Sequence, residues 1–129
     1  MNLAEYMEKA NPSEEIKAGD VVAFTDDGKV TKAINLAGPN LVNRVAGIVS
    51  EPETMGYVLG GAGLSPDERV PVALTGRVYL NVEGLDIQAG NLIAIKNNGT
   101  LEIVSDYTRA VIGNATRFSE DGKVYVLVR

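Results

Sequence analysis

From Ile16 to the C-terminus, short apolar runs alternate with clusters of Gly, Asp and Asn, the texture of many short strands joined by tight turns. The runs predict strands at Asp20–Phe24, Val30–Ala33, Val45–Ser50, Val70–Leu74, Gly76–Val82, Leu92–Lys96, Leu101–Ile103, Ala110–Thr116 and Lys123–Val128. Asp27-Gly28, Asn98-Gly99 and Asp121-Gly122 stand between β-type residues. They predict hairpins with type I′ turns, in which both central positions need positive φ. The texture differs before Ile16. There Leu3, Ala4 and Met7 fall at helical spacing, and Asn11-Pro12 closes the stretch. Residues 1–15 therefore read as a short helical or extended arm, and 16–129 as a single all-β domain, a compact sandwich-like or barrel-like body.

The β domain repeats itself. Ile16-Lys17-Ala18-Gly19-Asp20-Val21-Val22-Ala23-Phe24, followed by Asp27-Gly28-Lys29-Val30, aligns without a gap on Ile87-Gln88-Ala89-Gly90-Asn91-Leu92-Ile93-Ala94-Ile95, followed by Asn98-Gly99-Thr100-Leu101. Each copy is a turn, a strand, a hairpin and a returning strand. Each is then followed by a strand opening on a Val-Xaa-Gly step, Val45-Ala46-Gly47 and Val111-Ile112-Gly113. The expectation is a pseudo-duplicated β unit over about 16–50 and 87–116. Between the copies, 51–69 contains Pro52, Gly56, Gly60, Gly61, Gly63 and Pro66, and reads as a long surface loop. Such a loop is either functional and ordered by a partner, or a plain surface excursion.

Composition narrows the chemistry. The chain of 129 residues is 45% hydrophobic, enough for the core of one domain. It has no cysteine and no histidine, which removes thiol nucleophiles, thiolate and imidazole metal ligands and the usual general base. The net charge is -5, and the 12 basic residues are scattered, so neither a nucleic acid nor an anionic membrane is an expected partner. No apolar run approaches the roughly 20 residues of a membrane-spanning helix, and Glu5 and Glu8 stand where a secretory signal carries positive charge. The expectation is a soluble chain.

The individual candidates for chemistry are weak. Gly60-Gly61-Ala62-Gly63 lacks the Lys-Ser/Thr that closes a phosphate loop. Asp20, Asp26 and Asp27, or Glu51 and Glu53, lack the alternating spacing of a calcium loop and read as solvated turn residues. Ser50 and Ser65 have no histidine to act as their base. No cofactor or metal is expected. The aromatics Tyr6, Phe24, Tyr57, Tyr79, Tyr107, Phe118 and Tyr125 are spread out and form no stacking platform for single strands. Tyr57, in the glycine-rich segment, reads as an exposed anchor at a partner interface, with Leu59, Leu64 and Tyr6 as further contact residues.

An ordered set of segments carries a resemblance over nearly the whole chain. These are Leu3-Ala4-Glu5-Tyr6-Met7, Gly19-Asp20-Val21-Val22, Val45-Ala46-Gly47-Ile48-Val49-Ser50 with Pro52, Val70-Pro71-Val72-Ala73-Leu74-Thr75-Gly76-Arg77-Val78, Ile87-Gln88-Ala89-Gly90-Asn91-Leu92 and Val124–Val128. The set resembles the peptidase G2, or intramolecular-chaperone autoprocessing, domains at the C-termini of bacteriophage tail fibres and appendages. The resemblance implies a β-rich domain that trimerises at the end of an elongated virion protein and in some members cleaves itself from the preceding fibre. It makes Glu5 the one candidate for autoproteolysis. Met1 directly precedes the matching segment, so a scissile bond is expected to lie outside this chain. A looser similarity is to small capsid decoration proteins, which sit as trimers on the shell. The resulting expectation is a non-enzymatic virion protein, a homotrimer contacting other fibre or capsid proteins and assembled in the bacterial cytoplasm. An autoproteolytic maturation domain and a receptor- or glycan-binding tip are the alternatives.

Overall fold

The computed structural model of the chain describes residues 2–52 and 55–129. Ten strands form a curled, mostly antiparallel sheet that bends into a half-barrel. They are β1 (Asn2–Glu8), β2 (Val21–Phe24), β3 (Val30–Lys32), β4 (Val45–Val49), β5 (Met55–Gly60), β6 (Arg69–Asn81), β7 (Leu92–Ile95), β8 (Leu101–Val104), β9 (Val111–Ala115) and β10 (Lys123–Val128). The path runs β3-β2-β4-β6-β10-β9-β7-β8, with β1 on β6 and β5 on β1. Among the described residues, helical structure is confined to one turn of α-helix (Leu41–Arg44) and short 3-10 turns such as Ala33–Leu36 and Pro66–Glu68. Among the described residues no helix is long and apolar enough to cross a membrane.

β6 holds the molecule together. Its first half pairs with β1 and β4, and its second half with β10, so one 13-residue strand belongs to two sheets. The sequence reading broke this strand at Thr75. What stands there is a bulge in the pairing with β1, where Leu3 faces Thr75 and Ala4 faces Ala73, leaving Leu74 unpaired. A bulge adds a residue and so changes which parity faces inward. Ala73 points into the main core before it, and Val78 and Leu80 after it. That core lies between the two sheets, with Ala23, Leu41 and Ile48 on one side and Ile87, Ile93, Ile95, Ile112 and Val126 on the other. A second cluster of Val22, Val30, Val49, Val70 and Val72 covers the opposite face of the first sheet. Each large side chain buried in this way contributes roughly 1.5–3 kcal/mol.

Several hydrogen bonds recur at corresponding places in the two copies of the sequence repeat. Gly19 N–H donates to Val49 O (2.9 Å) as Gly90 N–H donates to Ala115 O (2.8 Å). Val49 N–H returns to Asp20 O as Ala115 N–H returns to Asn91 O, both at 2.9 Å. Asp20 Oδ2 accepts from Lys17 N–H as Asn91 Oδ1 accepts from Gln88 N–H, both at 2.8 Å. Even the bulges coincide, between Val22 and Ala23 against β4 and between Ile93 and Ala94 against β9.

Two local expectations, the turn types and the single loop over 51–69, are corrected. Among the described residues Asp121 is the only non-glycine with positive φ (54°), so only Asp121-Gly122 forms a type I′ turn. The pairs at Asp27 and Asn98 form three-residue loops instead. Gly28 and Gly99 N–H donate back to Thr25 and Lys96 O (3.0 and 2.9 Å), and Thr25 and Lys96 N–H donate to Lys29 and Thr100 O (2.8 Å each). This is a type I turn followed by a left-handed glycine. The N-terminal stretch takes the extended of its two expected forms. β1 lies between β5 and β6, with Ala4 fully buried. The segment 51–69 is not one loop, since Met55–Gly60 is a strand parallel to β1.

Candidate interaction surface

β5 joins the sheet only through β1, with Leu3 opposite Tyr57 and Glu5 opposite Leu59. Its other edge is unpaired among the described residues. Alternation along the strand puts Tyr57 and Leu59 on one face, and they are 67% and 44% exposed. Edge strands are normally protected by charge, by proline or by being short. β5 has six residues, Met-Gly-Tyr-Val-Leu-Gly, with neither a charge nor a proline. The other edges differ. β3 has three residues including Lys32, and it is covered in part by Lys9 and Ala10, whose N–H donates to Val30 O (2.8 Å). β8 has four residues and carries Glu102.

Beside β5, Tyr6 is engaged within the fold. The Arg69 guanidinium lies 4.1 Å from its ring centroid, and Arg69 also donates to Leu64 O (3.0 Å). Gly61 lies so close that an added Cβ would stand 2.9 Å from Tyr6 Cβ. Tyr6, Arg69 and the half-buried Leu64 thus make the shoulder of the surface, and Tyr57 and Leu59 its open part. Glu5 is exposed on β1, and its carboxylate has no hydrogen bond or ion pair with the described residues.

The remaining candidates are held by local structure. Ser65 caps the Pro66–Glu68 turn, its Oγ 2.6 Å from both Asp67 Oδ1 and Glu68 Oε1, while its N–H donates to Glu68 Oε1 (3.0 Å). These bonds favour the ionised carboxyls and hold both below the usual carboxylate range. Ser50 is buried and donates to Asn2 Oδ1 (3.0 Å), and Asn2 Nδ2 donates to Arg77 O (2.9 Å). Asp26 pairs with Arg44 (2.7 Å), and Asp27 accepts from the Thr25 hydroxyl, which lowers its pKa. Glu53 lies outside the described residues. No group of three or more acidic, histidine or cysteine side chains that could hold a metal occurs among the described residues. The glycines 60, 61 and 63 all have positive φ and turn the chain from β5 into the Ser65 cap.

The sequence reading missed β5 as a strand, although Tyr57-Val58-Leu59 has strand composition. Tyr79 on β6, read from the sequence as a core or cross-strand packing residue, stacks across the strands on Tyr125 of β10, with ring centroids 4.3 Å apart. Only the fold brings those two positions together.

No family model and no curated protein matches the chain. Among solved structures, the C-terminal fragment of bacteriophage phi29 gene product 12 has the same fold, with a TM-score of 0.61 over 99% of this chain and 100% of that fragment, at 19% identity.

Proposed function

We propose that this chain is a structural module of a bacteriophage or prophage particle. It works at the end of a fibre or appendage, as a homotrimer packed through the β5 edge. The observation that carries this reading is the fold shared end to end with a C-terminal fragment of a phage protein. The motif order that resembles fibre C-terminal domains supports the same placement over a capsid decoration protein. The uncharged, unpaired edge of β5, flanked by Tyr57 and Leu59, supports contact with protein. Size-exclusion chromatography with light scattering at micromolar concentration tests it. Three times the chain mass of 13.7 kDa is expected, and a strict monomer overturns the assembly.

A further inference from the structure

A groove of about 200 Å³ lies between the two sheets, where the two copies of the repeat meet. Its lining includes Val45-Ala46-Gly47 from one copy and Ala110-Val111-Ile112 from the other, the opening residues of the two Val-Xaa-Gly strands. The ladders leave room there. β4 pairs with β6 only at Ile48 and Val49, and β9 pairs with β10 only from Gly113 to Ala115, so the first residues of both strands lie outside these pairings. Ile48, Ala73, Ile95 and Ile112, all buried members of the main core, make the floor. Leu74, unpaired in the bulge of β6 and 40% exposed, joins the exposed Arg109 and Arg129 at the mouth. Among the described residues, those two arginines are the only polar side chains in the lining. Arg129 donates from Nε to Asn114 Oδ1 (2.9 Å). The Arg109 guanidinium has no hydrogen bond or ion pair with the described residues.

We propose that this groove binds a linear fatty acid of medium chain length, with its alkyl chain on the isoleucine floor and its carboxylate on Arg109. An apolar groove with cations and no acidic side chain at its mouth fits an amphiphile whose one polar group is negative. In a chain of net charge -5, two arginines on one apolar groove draw an anion to this spot against the overall sign. The volume limits the length of the ligand. It lies below the roughly 300 Å³ at which pockets take drug-sized molecules, so a long acyl chain would project into water. The other source of the same chemistry is an anionic bilayer, and it is disfavoured because the protein would approach it with net charge of the same sign.

Titration of the whole chain with butanoate, hexanoate and octanoate, followed by amide NMR, tests the site. Shifts are expected at Gly47, Leu74, Ala110 and Ile112, and affinity should rise about fourfold for each methylene added, as burial of a CH₂ predicts. Arg109→Ala should weaken octanoate about tenfold, as loss of one charge-assisted bond does. Ala110→Leu, which fills the groove, should abolish binding. Arg117→Ala removes an exposed cation outside the groove and should leave binding unchanged. Arg109 is exposed, so an unaltered thermal unfolding midpoint confirms that its variant is folded. The proposal is overturned if octanoate does not bind at millimolar concentration, if affinity is independent of chain length, if octylamine binds as tightly, or if Arg109→Ala binds at full strength. Capture on phosphatidylglycerol vesicles without binding of soluble octanoate also overturns it, a membrane surface then being the occupant.

Discussion

At the residue scale, the Val-Xaa-Gly step that marks both repeats has a single physical cause. Gly47 and Gly113 occupy equivalent places in β4 and β9, and each lies against the next strand. A Cβ on Gly47 would stand 2.9 Å from Val72 Cγ1 and 3.2 Å from Ala73 O, and one on Gly113 would stand 3.0 Å from both Val126 Cγ2 and Leu127 O. Gly47 also sits at φ 150°, where a side chain adds strain. Gly47→Ala and Gly113→Ala are therefore each expected to destabilise the fold by about 1–3 kcal/mol, the usual cost of forcing atoms into a packed core. Chemical denaturation checks this, with the larger loss expected at Gly47. Ser65 gives a prediction in pH. The folded-state pKa values of Asp67 and Glu68 are lowered, chiefly by the Ser65 hydroxyl. Their stabilising effect is therefore complete above the ordinary carboxylate range, and is lost as pH falls below about 4 through the lowered values. Followed by NMR, the Ser65 amide, bonded to Glu68 Oε1, should titrate with a midpoint below that of an unstructured glutamate, and Ser65→Ala, which removes the hydroxyl but keeps the backbone N–H, should raise the midpoint towards it.

At the scale of elements, β1 and β5 decide how the first sheet ends. β1 is flanked on both sides, so deleting residues 2–8 would expose both β5 and the first half of β6 and remove the buried Ala4 and Asn2. The truncated chain is expected to lose its cooperative unfolding transition by circular dichroism. A dispensable arm would leave that transition in place. For β5, Leu59→Lys puts on the edge the charge that other edge strands use for protection. Light scattering should show monomer for this variant, with the unfolding midpoint of the folded chain kept, because Leu59 is already 44% exposed. These same elements mark the limit of what the sequence shows. The hairpins of both repeats and nearly all strand positions are legible, because alternating apolar runs and Asx-Gly corners are local signals. β1 stayed undecided between helical and extended because Leu3, Ala4 and Met7 mimic a helical period, although Ala4 is buried by partners distant in sequence. β5 was hidden by the glycines on either side of Tyr57-Val58-Leu59. The turn types at Asp27 and Asn98 depend on a backbone angle that an Asx-Gly pair alone does not determine. Of the surface residues named beforehand, Tyr57 and Leu59 stand open, while Tyr6 and Leu64 are tied to Arg69.

At the scale of the whole molecule, the duplication raises the question of whether each repeat is a folding unit of its own. The topology argues against it. β6, which lies between the units, pairs through its first half with β4 of the first and through its second half with β10, the neighbour of β9 in the second, so cutting the chain between the units breaks a strand that both require. The main core is also shared, with Ala23 and Ile48 from one unit packed in the same cluster as Ile93 and Ile112 from the other. Neither half can bury its apolar face alone, and a chain of this size with one core unfolds as one body. Ile48→Ala and Ile93→Ala, one in each unit, are each expected to cost about 2–5 kcal/mol. Each should shift the whole transition, so that tyrosine fluorescence and far-ultraviolet circular dichroism remain superimposed. Two separable transitions, with each substitution moving only one, would show that the units fold independently and that β6 is a linker between them.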